Sequence, residues 1–259
     1  MKFSIVRESR NGARRYNQDR VGHWRAPEAL LIAVADGMGG YAGGELAAQV
    51  AVDFVADAFL AEATPRLDDP DAFLLRTMGR VHGAIVKQGM SAGLGDSPRT
   101  TLVACVVQAG RAYWSFIGDS RLYLIREGRI AARTRDHTFV QQLIDAGRIR
   151  EEAAASHPER NKLLRCLGGT LAPKLEPTAS ARLAKDDILV LCSDGLWGPL
   201  TPRQLLMGFI GKAPARALPE LMTLAEAHAG PGCDNISAVA MKWQEETVSE
   251  TLDLVLSVA

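Results

Sequence analysis

The chain is expected to fold as α+β, with a largely antiparallel sheet system and its helices in separate blocks. Three observations predict this. Period-two apolar runs at 101–107, 112–117 and 121–125 follow one another across connections too short for a crossover. Two long amphipathic helical patterns, at 43–62 and 71–89, precede them as a pair. Two further apolar runs, 188–192 and 236–241, enclose a second helical pair near 202–211 and 217–228.

The elements follow in order. Residues 3–6 and 29–35 read as strands. In the first long helix Leu46, Val50, Phe54 and Ala58 make one stripe, and Ala47, Ala51, Val55 and Phe59 make its neighbour. Glu45 sits in the first turn, where the helix dipole favours an anion. Pro65 and the Asp68-Asp69-Pro70 cluster break the chain. The second helix presents Leu74, Met78, Val81 and Ile85 on one face. Turns at 108–111 and 118–120 separate the period-two strands. A short helix near 138–146 leads into a stretch with few large apolar residues, reaching about Gly169. Residues 1–243 read as one domain. Residues 244–259 read as an appended tail, either a short docking helix or unstructured.

Composition removes several function classes. The chain has 259 residues, 47% of them hydrophobic, enough for a sizeable core. Lys+Arg and Asp+Glu are both 30, so no global field draws it to nucleic acid or an acidic membrane. Met1–Glu8 meets charge at once and lacks the apolar centre of a leader. No apolar run approaches the roughly 20 residues of a membrane helix. Cys105, Cys166, Cys192 and Cys233 form no C-x-x-C pair, and two of them lie inside apolar runs. A reducing cytoplasm is the expected compartment.

One loop poses a choice. Gly37-Met38-Gly39-Gly40-Tyr41-Ala42 matches the dinucleotide fingerprint G-x-G-x-x-A between a strand and a helix. Against that reading, a second helix rather than a strand follows the first. The acid about 20 residues on, Asp57, sits inside the helix, and Asp36 would repel a pyrophosphate. The alternative is a glycine turn with no ligand, so the loop needs support from elsewhere.

That support comes from aspartates at strand ends. Asp36 and Asp194 each close an apolar strand and precede glycine. Asp234 stands just before a strand, Asp119 lies between two strands, and Asp19 ends Arg14-Arg15-Tyr16-Asn17-Gln18-Asp19. Each alone reads as a turn residue. Crowded at one sheet edge, ionised carboxylates would repel one another unless cations neutralised them. Oxygen-only ligands point to magnesium or manganese rather than zinc. The five histidines form no H-E-x-x-H pair, which agrees.

The ordered set resembles the protein phosphatase 2C family, the metal-dependent serine/threonine phosphatases, in its bacterial single-domain form. The matching stretches are Arg14-x-x-Asn17-Gln18-Asp19, Asp36-Gly37-Met38-Gly39-Gly40, Thr100-Thr101, Phe116-Ile117-Gly118-Asp119-Ser120-Arg121, Ser193-Asp194-Gly195-Leu196 and Asp234-Asn235-Ile236. The resemblance covers roughly residues 3–243 and implies a four-layer α-β-β-α sandwich of two packed antiparallel sheets. It implies that Asp36 bridges two Mn²⁺ or Mg²⁺ ions and that Gly37 offers its carbonyl to one. Asp194 and Asp234 would complete the other site, Asp19 would hold metal-bound waters, and Asp119 with Asp194 would form a weaker third. Catalytic roles fall to Arg14, Asp36 and Asp194, with Arg14 gripping the substrate phosphate.

Gln18, where many relatives carry Glu, and Asn235 stand just behind the ligands in this reading. Met38 replaces the His of animal relatives, which leaves metal-bound water or His137 to deliver the proton. The implied reaction is direct attack of a metal-bridging hydroxide on phosphoserine or phosphothreonine, with no phosphoenzyme. The implied enzyme is a cytoplasmic monomer whose partners are phosphoproteins, targets of a Hanks-type kinase, with no nucleic acid and no membrane insertion. Residues 146–169 would be the flap beside the metal cleft. A pseudophosphatase that binds phosphoproteins without turnover is the alternative, disfavoured by the intact carboxylate set. An aspartyl-nucleophile phosphatase is disfavoured because Met38 occupies the second position of D-x-D.

Overall fold

The computed structural model describes residues 1–38 and 42–244. Gly39, Gly40 and Tyr41 of the glycine loop, and the expected tail beyond Gln244, lie outside the described residues. The chain runs β1 (Lys2–Arg10), β2 (Asp19–Arg25), β3 (Ala29–Asp36), α1 (Gly44–Glu62), α2 (Pro70–Ser91), β4 (Arg99–Thr100), β5 (Leu102–Gln108), β6 (Arg111–Ile117), β7 (Arg121–Arg126), β8 (Arg129–Arg133) and α3 (Phe139–Asp145). A 3-10 turn at Glu151–Ser156 leads to β9 (Leu167–Gly168), β10 (Ala179–Arg182), β11 (Ile188–Cys192), α4 (Asp194–Trp197), α5 (Pro202–Phe209) and α6 (Pro214–Ala229). A second 3-10 turn, Gly230–Gly232, precedes β12 (Ile236–Gln244).

Two five-stranded sheets carry the fold, in the orders β1-β12-β11-β7-β8 and β10-β6-β5-β3-β2, and β4 pairs with β9. Strand β3 explains the layering. Its side chains alternate between faces, yet the strand is apolar throughout, so both faces must be covered. Leu30, Ile32 and Val34 meet Leu122, Leu189, Leu191 and Val239 of the other sheet. Leu31, Ala33 and Ala35 turn the other way and pack under α1 and α2. On the far side Leu205, Phe209, Leu218 and Met222 cover Val190, Ala238 and Ala240. The result is the expected α-β-β-α sandwich. Each fully buried large apolar side chain contributes about 1.5–3 kcal/mol.

Strand β3 is antiparallel to both its neighbours, β2 and β5. Among the described residues no parallel βαβ unit follows the glycine loop, which removes the dinucleotide reading. Asp69, one of the expected chain breakers, is the N-cap of α2: its side chain accepts from the Ala72 N–H at 3.0 Å, with Pro70 in the first turn. The four apolar positions expected on α2 are all buried. In α1 the stripe of Ala47, Ala51, Val55 and Phe59 is the buried one. Val50, Phe54 and Ala58 lie on its shoulder, with Arg80 stacked over Phe54.

Strands β2, β8 and β10, which carry no apolar run, are all edge strands. Edge strands are half solvated and tolerate charge, so DRVGHWR and RIAAR lack the core signal. The sandwich nevertheless depends on β2 at one end. There its first residue, Asp19, stands opposite the last residue of β3, Asp36.

Candidate metal centre

The aspartates converge because antiparallel pairing brings alternate strand ends to one edge. In the first sheet the C-terminal end of β11 lies beside the N-terminal ends of β12 and β7, with Cys192 opposite both Ala238 and Arg121. Asp194 therefore follows β11, Asp234 precedes β12 and Asp119 precedes β7 at one edge. In the second sheet Asp19 and Asp36 face each other across β2 and β3.

Local hydrogen bonds hold the Asp36 backbone, the Asp119 turn and the Asp19 carboxylate. Asp36 donates its N–H to Thr101 Oγ1 at 3.0 Å, and its carbonyl accepts from Thr101 N and Thr100 Oγ1, both at 2.9 Å. Thr101 Oγ1 also meets Ser120 Oγ at 2.7 Å, which joins the Asp36 strand to the Asp119 turn. Ser193 Oγ donates to Asp19 Oδ2 at 2.7 Å across the two sheets. Gly37 has no room for a side chain, since a Cβ would lie 2.4 Å from the Gly44 carbonyl oxygen. At Gly195 a Cβ would meet the Asn235 carbonyl oxygen at 2.0 Å, so Asp194 and Asp234 are held close by a bare backbone.

Asn235 is a hub. Its Nδ2 donates to the carbonyls of Asn11 and Tyr16 at 2.9 and 3.0 Å, and its Oδ1 accepts from the Gln18 N–H at 2.8 Å. The loop carrying Arg14, Gln18 and Asp19 is thus pinned to the start of β12. Gln18 turns its amide toward Glu45 at 3.1 Å, where a glutamate would meet a like charge. Arg14 is half exposed and donates to Asp234 Oδ2 at 2.8 Å, so the expected phosphate grip and an expected ligand are paired with each other.

The electrostatics are those of crowded like charges. Burial, then Asp19, Asp194, Asp119 and Asp234, holds the Asp36 carboxyl well above the usual range. Burial pushes Asp19 up to about 7, against hydrogen bonds from Ser193 and Ser237. Burial followed by the Asp234 charge pushes Asp194 up to about 6. Burial, Asp194 and Asp136 raise Asp119 in the same direction. Asp194 raises the protonation range of Asp36, Asp19 and Asp119 around it, a crowding that a bound cation would relieve.

Among the described residues no three His, Cys, Asp or Glu side chains form a ready-made chelate. The donor set instead suits a hard ion that keeps several waters and takes one or two carboxylates. The residues therefore fit Mn²⁺ or Mg²⁺.

Arg121, Asp136 and Trp197, to which the motifs assigned no role, support the site. Arg121 clamps Asp136 at 2.8 and 2.6 Å and lies 3.4 Å over the Trp197 ring. Trp197 Nε1 in turn donates to the Asp119 carbonyl at 3.0 Å. The motif quoted Arg121 but assigned it no work. His137 is buried, stacked on Phe116 at 4.8 Å, and accepts from the Gly118 N–H at 3.2 Å. It ties the Asp119 turn to the expected flap, whose Leu164 N–H donates to the His137 carbonyl at 2.8 Å. The far end of the flap is fixed where β9 pairs with β4.

The sequence model of the protein phosphatase 2C family matches residues 8–223. The chain belongs to that family. The serine/threonine protein phosphatase PstP of Mycobacterium tuberculosis is 37% identical over 249 residues, covering 90% of this chain and 43% of that protein. This chain thus spans less than half the length of that relative. The serine/threonine phosphatase stp of Listeria innocua is 34% identical over 194 residues, covering 73% of this chain and 76% of its own. The crystal structure of the catalytic domain of PstP in complex with two manganese ions superposes with a TM-score of 0.75 at 30% identity, covering 94% of this chain and 99% of that one. The protein phosphatase 2C match ends before Asp234, but the Asn235 hydrogen bonds tie that residue to the matched loop.

The raised carboxyls carry a pH consequence. Asp19 and Asp194 hold protons in the fold that the unfolded chain would release. Their contribution to metal-free stability is complete below the ordinary carboxylate value and is lost as pH rises through about 6 to about 7. Asp36→Asn removes one charge from the cluster. In chelator, its Tm relative to wild type should rise between about pH 5 and about pH 8. Differential scanning calorimetry reads this, and a difference that stays flat or falls would contradict the assignment.

Proposed function

We propose that the chain is a metal-dependent protein serine/threonine phosphatase acting on phosphoserine and phosphothreonine proteins. The observation that carries this reading is the convergence of Asp36, Asp19, Asp119, Asp194 and Asp234 at one edge of the sandwich. Asp36, the Gly37 carbonyl, Asp194 and Asp234 would hold two Mn²⁺ or Mg²⁺ ions, Asp19 would orient their waters, and Asp119 would serve a weaker third. Bound there, the ions would acidify a water and offset charge on the phosphoryl oxygens.

The chain's own residues do the rest. Thr100 and Thr101 hold the Asp36 backbone in place. Ser193 orients Asp19 across the two sheets. Asn235 places the Arg14 loop at the mouth of the site. Arg14 exchanges its Asp234 partner for the substrate phosphate when Asp234 turns inward, presenting a forked pair of donors to two phosphate oxygens. Met38 offers no titratable group beside Asp36, so the leaving alkoxide takes its proton from water.

The kinase counterpart of this reading is a Hanks-type kinase whose products the enzyme resets. A monomer in the cytoplasm is proposed, in keeping with the free cysteines among the described residues. Among those residues no helix is long and apolar enough to cross a membrane. Residues 1–243 are proposed as the catalytic unit, the boundary falling one residue before β12 ends.

Two measurements test the reading. Hydrolysis of p-nitrophenyl phosphate and of a phosphothreonine peptide should need added Mn²⁺ and stop in excess chelator. Asp194→Asn should leave less than about a tenth of wild-type kcat, because charge stabilisation at a metal is worth several kcal/mol. Full activity in chelator, or a fully active variant, would sink the proposal.

Arg14→Ala should raise KM for the phosphopeptide about tenfold, the lower end for a charged hydrogen bond because the side chain is exposed. Isothermal titration should find its Mn²⁺ affinity at least as high as wild type, since Asp234 loses a competing partner. Unchanged steady-state kinetics would return Arg14 to the role of a surface ion pair.

A further inference from the structure

Beside the aspartates lies a second concave site that the reaction leaves unused. A cavity of about 400 Å³ opens along the β4–β9 seam, lined by Arg99, Arg165, Lys174, Thr170, Cys166 and Leu171, with further backbone between them. Three of its lining side chains are cations and, among the described residues that line it, none is acidic. Glu176, paired with Arg165, and Asp96, near Arg99, stand just behind the lining and offset part of that charge.

The floor is rigid. Gly168 and Gly169 have φ of 82° and 74°, and a Cβ on Gly168 would lie 2.1 Å from the Pro98 carbonyl oxygen. The Arg99 guanidinium lies against Gly169, where an added Cβ would be 3.0 Å from its Nε. Arg165 is braced by Glu176 at 2.7 Å, which also stands 3.4 Å from His137 Nε2. Thr170 is bonded to Asp96. Leu164 and Leu171 are 48% and 83% exposed at the rim, an apolar border for extended backbone. The cavity adjoins the aspartates through one strand: the Arg99 carbonyl accepts from the Met38 N–H at 3.0 Å, and the next residue, Thr100, bonds Asp36.

We propose that this cavity is a substrate subsite that takes a second anionic side chain of the phosphoprotein, a carboxylate or a second phosphate, a few residues from the one being hydrolysed. The proposal rests on the phosphatase reading and names the sequence class that the site selects. A peptide that runs along β4 from a phosphoresidue at Asp36 would carry one flank over the cavity. There Lys174 and Arg99, with Arg165 shared between Glu176 and the incoming group, would meet an anion while Leu164 and Leu171 cover the backbone. Each exposed cation adds little alone, and three acting on one group add up while remaining sensitive to salt.

The test walks a single glutamate along a phosphothreonine peptide of otherwise neutral residues. The best position is then repeated with phosphoserine to separate carboxylate from phosphate. With Mn²⁺ present, kcat/KM should rise about five- to tenfold at one side of the phosphothreonine relative to alanine, and the gain should shrink with added salt. Lys174→Glu and Arg165→Gln should each reduce that gain to about twofold or less, while turnover of p-nitrophenyl phosphate, which cannot span to the cavity, stays near wild type. Peptide binding followed by fluorescence anisotropy gives the same comparison without turnover. If hydrolysis failed altogether, the phosphatase reading would fall while binding still decided the subsite. A flat glutamate walk in both assays, or a preference that survives in Lys174→Glu and Arg165→Gln, overturns the proposal.

Discussion

The structure is organised around the mutual repulsion of carboxylates that the fold forces together. Asp19 and Asp36 are cross-strand partners in one sheet, while Asp119, Asp194 and Asp234 stand at the strand ends of the other. Burial and crowding raise the protonation range of four of them. A fold without a ligand would gain stability by replacing such a group with neutral side chains. Their retention at one edge of the sandwich makes sense when cations complete the charge balance. The cost in apo stability and the capacity for phosphate chemistry then have one origin.

Much of the surrounding machinery keeps those charges in place. The Thr101–Ser120 and Ser193–Asp19 contacts stitch the edge, the second of them across the gap between the sheets. The Asn235 side chain makes three hydrogen bonds to the loop that carries Arg14. Arg121, through Asp136 and Trp197, supports the turn that carries Asp119. The Arg14–Asp234 pair is the one contact that would have to open for both residues to act as proposed.

The central strands and the long helices were legible in the sequence because burial on both faces leaves a continuous apolar run or a clean helical stripe. Asp36 and Asp194 were legible for a related reason: a charge at the end of a buried strand, followed by glycine, marks a strand end with no room for a side chain, whereas Asp19, Asp119 and Asp234 stood out only within the ordered set of motifs. Edge strands β2, β8 and β10 were not legible, since solvation of one side removes the apolar signal. Thr100, Thr101 and Ser193 stood inside the quoted motifs, but hydroxyls that bond a neighbour's backbone or carboxylate leave no periodic trace. Glu176, which braces Arg165, and the pairing of Arg14 with Asp234 depend on contacts between distant segments. No local pattern could reveal them.

The claim on which the rest depends is that Asp36 holds two cations together. Anomalous diffraction at the manganese edge, from crystals grown with Mn²⁺, tests it most directly. The account predicts two principal peaks at the shared edge of the sheets, both within coordination distance of the Asp36 carboxylate, with Asp194 and Asp234 on one of them. A single peak, or peaks that do not share Asp36, would contradict it.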